Sequence, residues 1–215
     1  MGQKVNPFGF RLTNSKQWRS RWFARDSKQY RKNILEDHQI RRYLMDKLAL
    51  AGIVEAQIER SINKMKITLK VSRPGVVIGR GGSGLELLKK ELVKMVSLTE
   101  PEKNLELDVE EVKEPELSAQ LIAVRVVQQL EKRMPYRRVA NKTVERAMDA
   151  GAQGIKIALS GRVGGAEISR TETFKKGAIP LQTLRAEIDY AQIPATTRFG
   201  YVGVKVWVYK GEKEE

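Results

Sequence analysis

The stretch Arg73-Pro74-Gly75-Val76-Val77-Ile78-Gly79-Arg80-Gly81-Gly82-Ser83-Gly84 decides the fold. It can be read in three ways. As Gly79-x-Gly81-x-x-Gly84 it matches the dinucleotide-binding fingerprint, and Glu106 and Asp108 lie at a distance that suits a ribose contact. That fingerprint needs a buried parallel strand running straight into the glycines. Here Pro74-Gly75 intervenes, and an alternating hairpin precedes it. A Walker loop is excluded because no GxxxxGK[ST] occurs. As Gly79-Arg80-Gly81-Gly82 it is a GxxG loop between two helical segments. Its glycines let backbone approach a sugar–phosphate chain, and a helix start follows it. The third reading is a plain turn that starts a helix.

The flanks decide between these readings. Upstream, Ile40, Tyr43, Leu44, Leu48 and Ala51 recur at helical spacing from about Glu36, and Gly52 ends the segment. Val54, Ala56 and Ile58 then alternate with polar residues. Ser61-Ile62-Asn63 forms a turn, and Met65, Ile67, Leu69 and Val71 alternate again, so a hairpin is predicted. Downstream, Leu85, Leu88, Leu92 and Met95 give an amphipathic helix with Lys89, Lys90 and Lys94 outside, and Leu105, Leu107, Val109 and Val112 give a strand. Helix–strand–strand–glycine loop–helix–strand resembles the type II KH domain, an RNA-binding module. Arg73, Gly79, Arg80, Gly81, Gly82, Lys89 and Lys90 are then its candidate RNA contacts.

Charge points the same way. Among 215 residues, Lys and Arg number 40 against 26 Asp and Glu, for a net charge of +14. Such an excess suits a polyanionic partner. Nine of these cations fall within residues 1–32, with one acid and with Trp18, Trp22, Phe23 and Tyr30 interleaved. Poor apolar periodicity there predicts a basic arm over 1–35 that gains structure on RNA, with Lys4, Arg11, Lys16, Arg19 and Arg21 on phosphates. There is no cysteine, which excludes disulfides, thiolate metal sites and cysteine nucleophiles. The single His38 sits beside Glu36 and Asp37 and reads as a surface residue. No catalytic residue, metal or cofactor is expected. The opening residues lack a signal-peptide core, and no run approaches roughly 18 apolar residues, so a soluble cytoplasmic protein without membrane contact is expected.

Residues 100–116 hold eight acids and two bases, with Pro101 and Pro115, marking a surface strand and a boundary near 114–116. Beyond it, helices are predicted over about 117–134 and 137–150, separated by Pro135. Strands follow over 155–160, 167–173, 185–193 and 201–209. The expected organisation is a basic arm over 1–35, a KH domain over 36–113, a second α+β domain over 114–210 and a tail over 211–215. The second domain should have two helices and a mostly antiparallel four-stranded sheet. In its second helix Ala140, Val144, Ala147 and Met148 share one face, while Arg138, Lys142 and Arg146 share the opposite one. Trp207 alternates with the valines of the last strand and should pack on the other face.

Three stretches carry a family resemblance: MGQKVNP at 1–7 with FRL at 10–12, RPGVVIGRGG at 73–82, and SGRVGGAEISRTE at 160–172 with LRAEIDY at 184–190 and GVKVW at 203–207. Together they resemble the bacterial small ribosomal subunit protein 3 family across nearly the whole chain. The resemblance implies a structural, non-enzymatic protein of the small-subunit head. It would bind ribosomal RNA, line the mRNA entrance and help open mRNA structure. Its neighbours would be small-subunit proteins 10 and 14, with 2, 4 and 5 nearby. The family's entrance residues fall here on Arg137 and Arg138. A third basic position falls on Asn141, and Lys142 follows it. The rival readings are a KH regulator of RNA acting off the ribosome and a nucleotide-dependent enzyme.

Overall fold

A computed structural model describes residues 4–12, 14–61, 64–96 and 104–212. The chain forms two compact units, one from residues 18–113 and one from 1–17 together with 114–215.

In the first unit, β1 (Ser20–Arg21) and the helix α2 (Ser27–Lys47) precede the hairpin β2 (Ile53–Arg60) and β3 (Met65–Val71). Here α1 is the single turn Pro7–Phe10 of the other unit. Gly52 closes α2 and its trailing turn at φ 67°, a conformation glycine adopts without strain. After β3 come the short helix α3 (Pro74–Ile78), α4 (Ser83–Met95) and β4 (Leu105–Glu111). The sheet order is β1-β2-β3-β4, with β2 antiparallel to β3 and β4 parallel to β3. A parallel neighbour requires a crossover, and α3 and α4 supply it. This is the type II KH arrangement. Ile40 and Leu44 of α2 meet Leu88 and Leu92 of α4 over Ile58, Ile67 and Leu69 of the sheet.

Two details differ from the sequence reading. A bulge between Ile53 and Glu55 shifts the parity of β2, so Ile53 rather than Val54 takes the core position. The helix α2 also begins nine residues before Glu36, at Ser27. Its first turns are exposed and carry no apolar stripe, which hides them from periodicity. The turn residues 62–63 and Pro101 lie outside the described residues.

In the second unit, α5 (Ala119–Glu131) and α6 (Tyr136–Asp149) precede β5 (Gly154–Gly161), β6 (Arg170–Gly177), β7 (Ala186–Thr197) and β8 (Gly200–Glu212). The sheet runs β6-β5-β8-β7 and is antiparallel throughout. Ile155, Ile157 and Leu159 with Val202, Val204, Val206 and Val208 face the two helices. Ser118 does not cap α5 with its side chain. Instead the Asp189 carboxylate on β7 accepts the Ala119 N–H at 2.9 Å, tying helix to sheet. The strand β8 continues to Glu212, two residues past the predicted domain end at 210. No helix among the described residues is long and apolar enough to cross a membrane.

The predicted arm is divided between the units. Residues 4–12 lie on the second unit through Arg11, which is 0% exposed. Its Nε donates to the Ala186 carbonyl at 2.8 Å, and its other nitrogens donate to the carbonyls of Pro7, Pro180, Leu181 and Thr183. Residues 18–26 lie on the KH unit. There β1 pairs with β2, and buried Asp37 accepts from Ser20, Trp22 and Arg60. The described part of the arm is thus tied into the fold. Its polar side chains fold it through specific hydrogen bonds rather than through an apolar face.

Candidate nucleic-acid interface

The KH loop is built by close backbone approach. Gly79 adopts φ 71°, and a Cβ there would lie 3.0 Å from the Gly84 nitrogen. A Cβ on Gly84 would lie 2.7 Å from the Val77 carbonyl oxygen. These two glycines seat α3 against the start of α4. Gly81 and Gly82, at φ 62° and 83°, have open space where a Cβ would go. Any close visitor would find room there. Arg80, between Gly79 and Gly81, is exposed, and its carbonyl accepts from the Ser83 hydroxyl at 2.9 Å. Arg73 and Lys90 are exposed nearby and Lys89 is half-buried. Val76, Ile78 and Leu87 add exposed apolar surface beside the loop. All seven KH positions singled out from sequence belong to this one unit. They offer cations, free backbone space and an apolar margin, the combination a single-stranded nucleic acid needs.

The five arm positions are not equivalent. Lys4 is exposed on the second unit. Arg11 is a correction: its guanidinium is enclosed by five carbonyls and cannot meet a phosphate. Burial pulls its pKa below the ordinary arginine value. Lys16 is paired with Glu187 at 3.2 Å. Arg19 and Arg21 lie along β1, paired with Glu55 and Glu59 on β2 at 3.3 and 3.1 Å with side chains about half exposed. Exposed pairs of this kind contribute about 0–1 kcal/mol, so exchanging a carboxylate for a phosphate costs little.

On the second unit, α6 buries Val139, Ala140, Thr143, Val144 and Ala147. Arg137, Arg138, Asn141, Lys142 and Arg146 are exposed, and Met148 is half-buried. Arg138 and Lys142 have no ion pair among the described residues. Arg137 donates to the Tyr136 hydroxyl at 3.2 Å, and Arg170 of β6 donates to the same hydroxyl at 3.0 Å. Both guanidinium groups lie within 6 Å of the Tyr136 ring, at 5.8 and 5.9 Å. Sequence reasoning missed Arg170 because its partner lies 34 residues away on another element.

The sheet face turned away from the helices was also missed. Lys175, Lys156, Trp207 and Tyr190 form one row across β6, β5, β8 and β7. The Trp207 and Tyr190 rings are 5.3 Å apart, and the Lys156 ammonium lies 5.2 Å from the Trp207 centroid. Burial lowers the Lys156 pKa, with Lys4 and Lys175 adding to the effect. Trp207 thus packs opposite the valine face, as its alternation predicted. His38 is exposed.

Taken together, a type II KH fold, a GxxG loop left open and a second unit whose exposed Arg138 and Lys142 have no ion pair among the described residues define an RNA-binding protein. The comparisons agree and go further. Residues 39–117 match the KH domain model, and residues 126–208 match the model described as ribosomal protein S3, C-terminal domain. Proteins named small ribosomal subunit protein uS3 are similar along almost the full chain. The one from Caldicellulosiruptor saccharolyticus is 51% identical over 99% of this chain and 93% of its own length. Those of Desulforamulus reducens and Clostridium novyi are 50% and 49% identical over 99% of this chain. The chain belongs to the small ribosomal subunit protein uS3 family.

Proposed function

We propose that this protein is a structural constituent of the small ribosomal subunit that binds ribosomal RNA in the head and handles mRNA at its entrance. Family membership supports the ribosomal role. The mRNA role rests on one observation: α6 buries Val139, Ala140, Val144 and Ala147, with the Thr143 hydroxyl satisfied by the Val139 carbonyl, while Arg137, Arg138 and Lys142 stand exposed. The mechanism is positional and electrostatic. Lys and Arg neutralise phosphates and release counterions, and the KH loop sets the register of a strand. No bond is made or broken by the chain. Holding single-stranded mRNA at α6 biases a fraying duplex toward its open state. Lys142 lies one position beyond Asn141, about 100° further round the helix, so it supplies a charge in a rotated direction. The ribosomal RNA contacts are Arg73, Arg80, Lys89, Lys90 and the KH glycines, with Lys4, Arg19 and Arg21. Small-subunit proteins 10 and 14 are the proposed neighbours, with 2, 4 and 5 nearby, in the cytoplasmic ribosome.

The test is translation through matched messages with and without a stable hairpin. Changing Arg137, Arg138 and Lys142 together to Ala should slow the hairpin message and leave the other near normal. Equal slowing on both would assign these residues to general binding and remove the entrance role.

A further inference from the structure

The second unit contains a cavity of about 380 Å³ between the end of α5, the 162–165 turn and the β7–β8 turn. That volume lies toward the small end of ligand sites, which run roughly 300–1,000 Å³. Met134 and Val163 give it apolar walls, and Phe199, 51% exposed, stands at its mouth. A Cβ on Gly165 would lie 2.8 Å from the Phe199 ring, so this glycine is what lets the ring approach the turn so closely. The Arg162 guanidinium lies over the same ring, 5.5 Å from its centroid, with its Nε donating to the Ala166 carbonyl at 2.9 Å. Arg133 and Arg198 complete the rim, and neither has an ion pair among the described residues. The one carboxylate in the wall, Glu131, is occupied by the Thr196 N–H at 3.2 Å.

We propose that this cavity is a nucleotide slot that accepts one unstacked base of single-stranded RNA. An aromatic ring beside apolar walls takes the face of any base, and three arginines at the rim suit the phosphates on either side. A hydrophobic side chain of a partner protein would fill the walls but leave those charges unmatched, so charge complementarity favours RNA. Tyr136 also lines the cavity and begins α6, so a strand held at Arg137 and Arg138 passes its mouth. The inference rests on the RNA-binding reading of α6 and extends it from phosphate contact to base capture.

The test uses the full-length protein and a short oligouridylate carrying 4-thiouridine, with crosslinks mapped by peptide mass spectrometry. The slot predicts crosslinks within residues 196–202. Their yield should fall roughly ten-fold in Phe199→Ala and return in Phe199→Tyr, as one lost base–aromatic stack implies. Crosslinks at the KH loop should stay unchanged in both variants, which also reports that the chain is folded. Crosslinking on α6 without any in 196–202, or a yield indifferent to Phe199→Ala, overturns the slot while leaving the α6 reading in place. No crosslink anywhere on the second unit overturns both.

Discussion

Arg11 carries a full charge into a site with no carboxylate among the described residues, yet five carbonyl oxygens surround it. A guanidinium can serve several acceptors because its five N–H groups lie in a fixed plane. An ammonium cannot reproduce that fork. Arg11→Lys should therefore destabilise the second unit by about 2–4 kcal/mol in chemical denaturation, nearly as much as Arg11→Ala. A lysine variant as stable as the parent would show that charge alone suffices. Two residues of the glycine loop should separate stability from binding. Gly84→Ala places a Cβ against the Val77 carbonyl and should cost the KH unit about 1–3 kcal/mol. Arg80→Asp changes an exposed side chain, so melting should stay put while RNA crosslinking at the loop falls. A drop in melting temperature for both would make the loop a structural turn and nothing more.

At the scale of elements, the 3₁₀ turn Pro115–Leu117 is joined to α5 by Glu116, whose carboxylate accepts from Arg125. That hydrogen bond holds the Glu116 pKa below the ordinary glutamate value. A depressed folded-state pKa gives stability that is present above the unfolded value and is lost as pH falls through the folded one. Parent and Glu116→Gln should therefore differ in unfolding free energy near neutral pH and converge as pH falls through the depressed folded-state pKa of Glu116. A gap that persists in acid would locate the effect in packing. The elements also show what was legible in the sequence. Every helix and strand whose apolar residues keep a period of 3.6 or 2 was readable, because burial on one face imposes that period. The start of α2 and the fold of residues 4–26 were not. Arg11, Asp37 and Trp22 order those segments through polar bonds to residues far away in sequence, and such bonds leave no periodic trace. The KH loop was legible because GxxG between helical segments is a local geometry. The Arg170–Tyr136–Arg137 cluster and the cavity beside Phe199 were not, since each joins elements that only the sheet brings together.

For the whole molecule, the +14 charge sets how RNA is held. Neutralising several phosphates releases as many counterions, so the affinity of the free protein for RNA should fall steeply and log-linearly with salt. A flat dependence would mean that the exposed cations are not the footprint. Charge alone does not separate a ribosomal constituent from a KH regulator working elsewhere, because both bind RNA. Stable residence on the small subunit does separate them. The direct measurement is sedimentation of tagged protein from cells through a high-salt gradient. The account predicts that it travels with the small subunit at a ratio near one to one and is scarce at the top. Protein released to the top of the gradient, bound to scattered messages and absent from subunits, would contradict it.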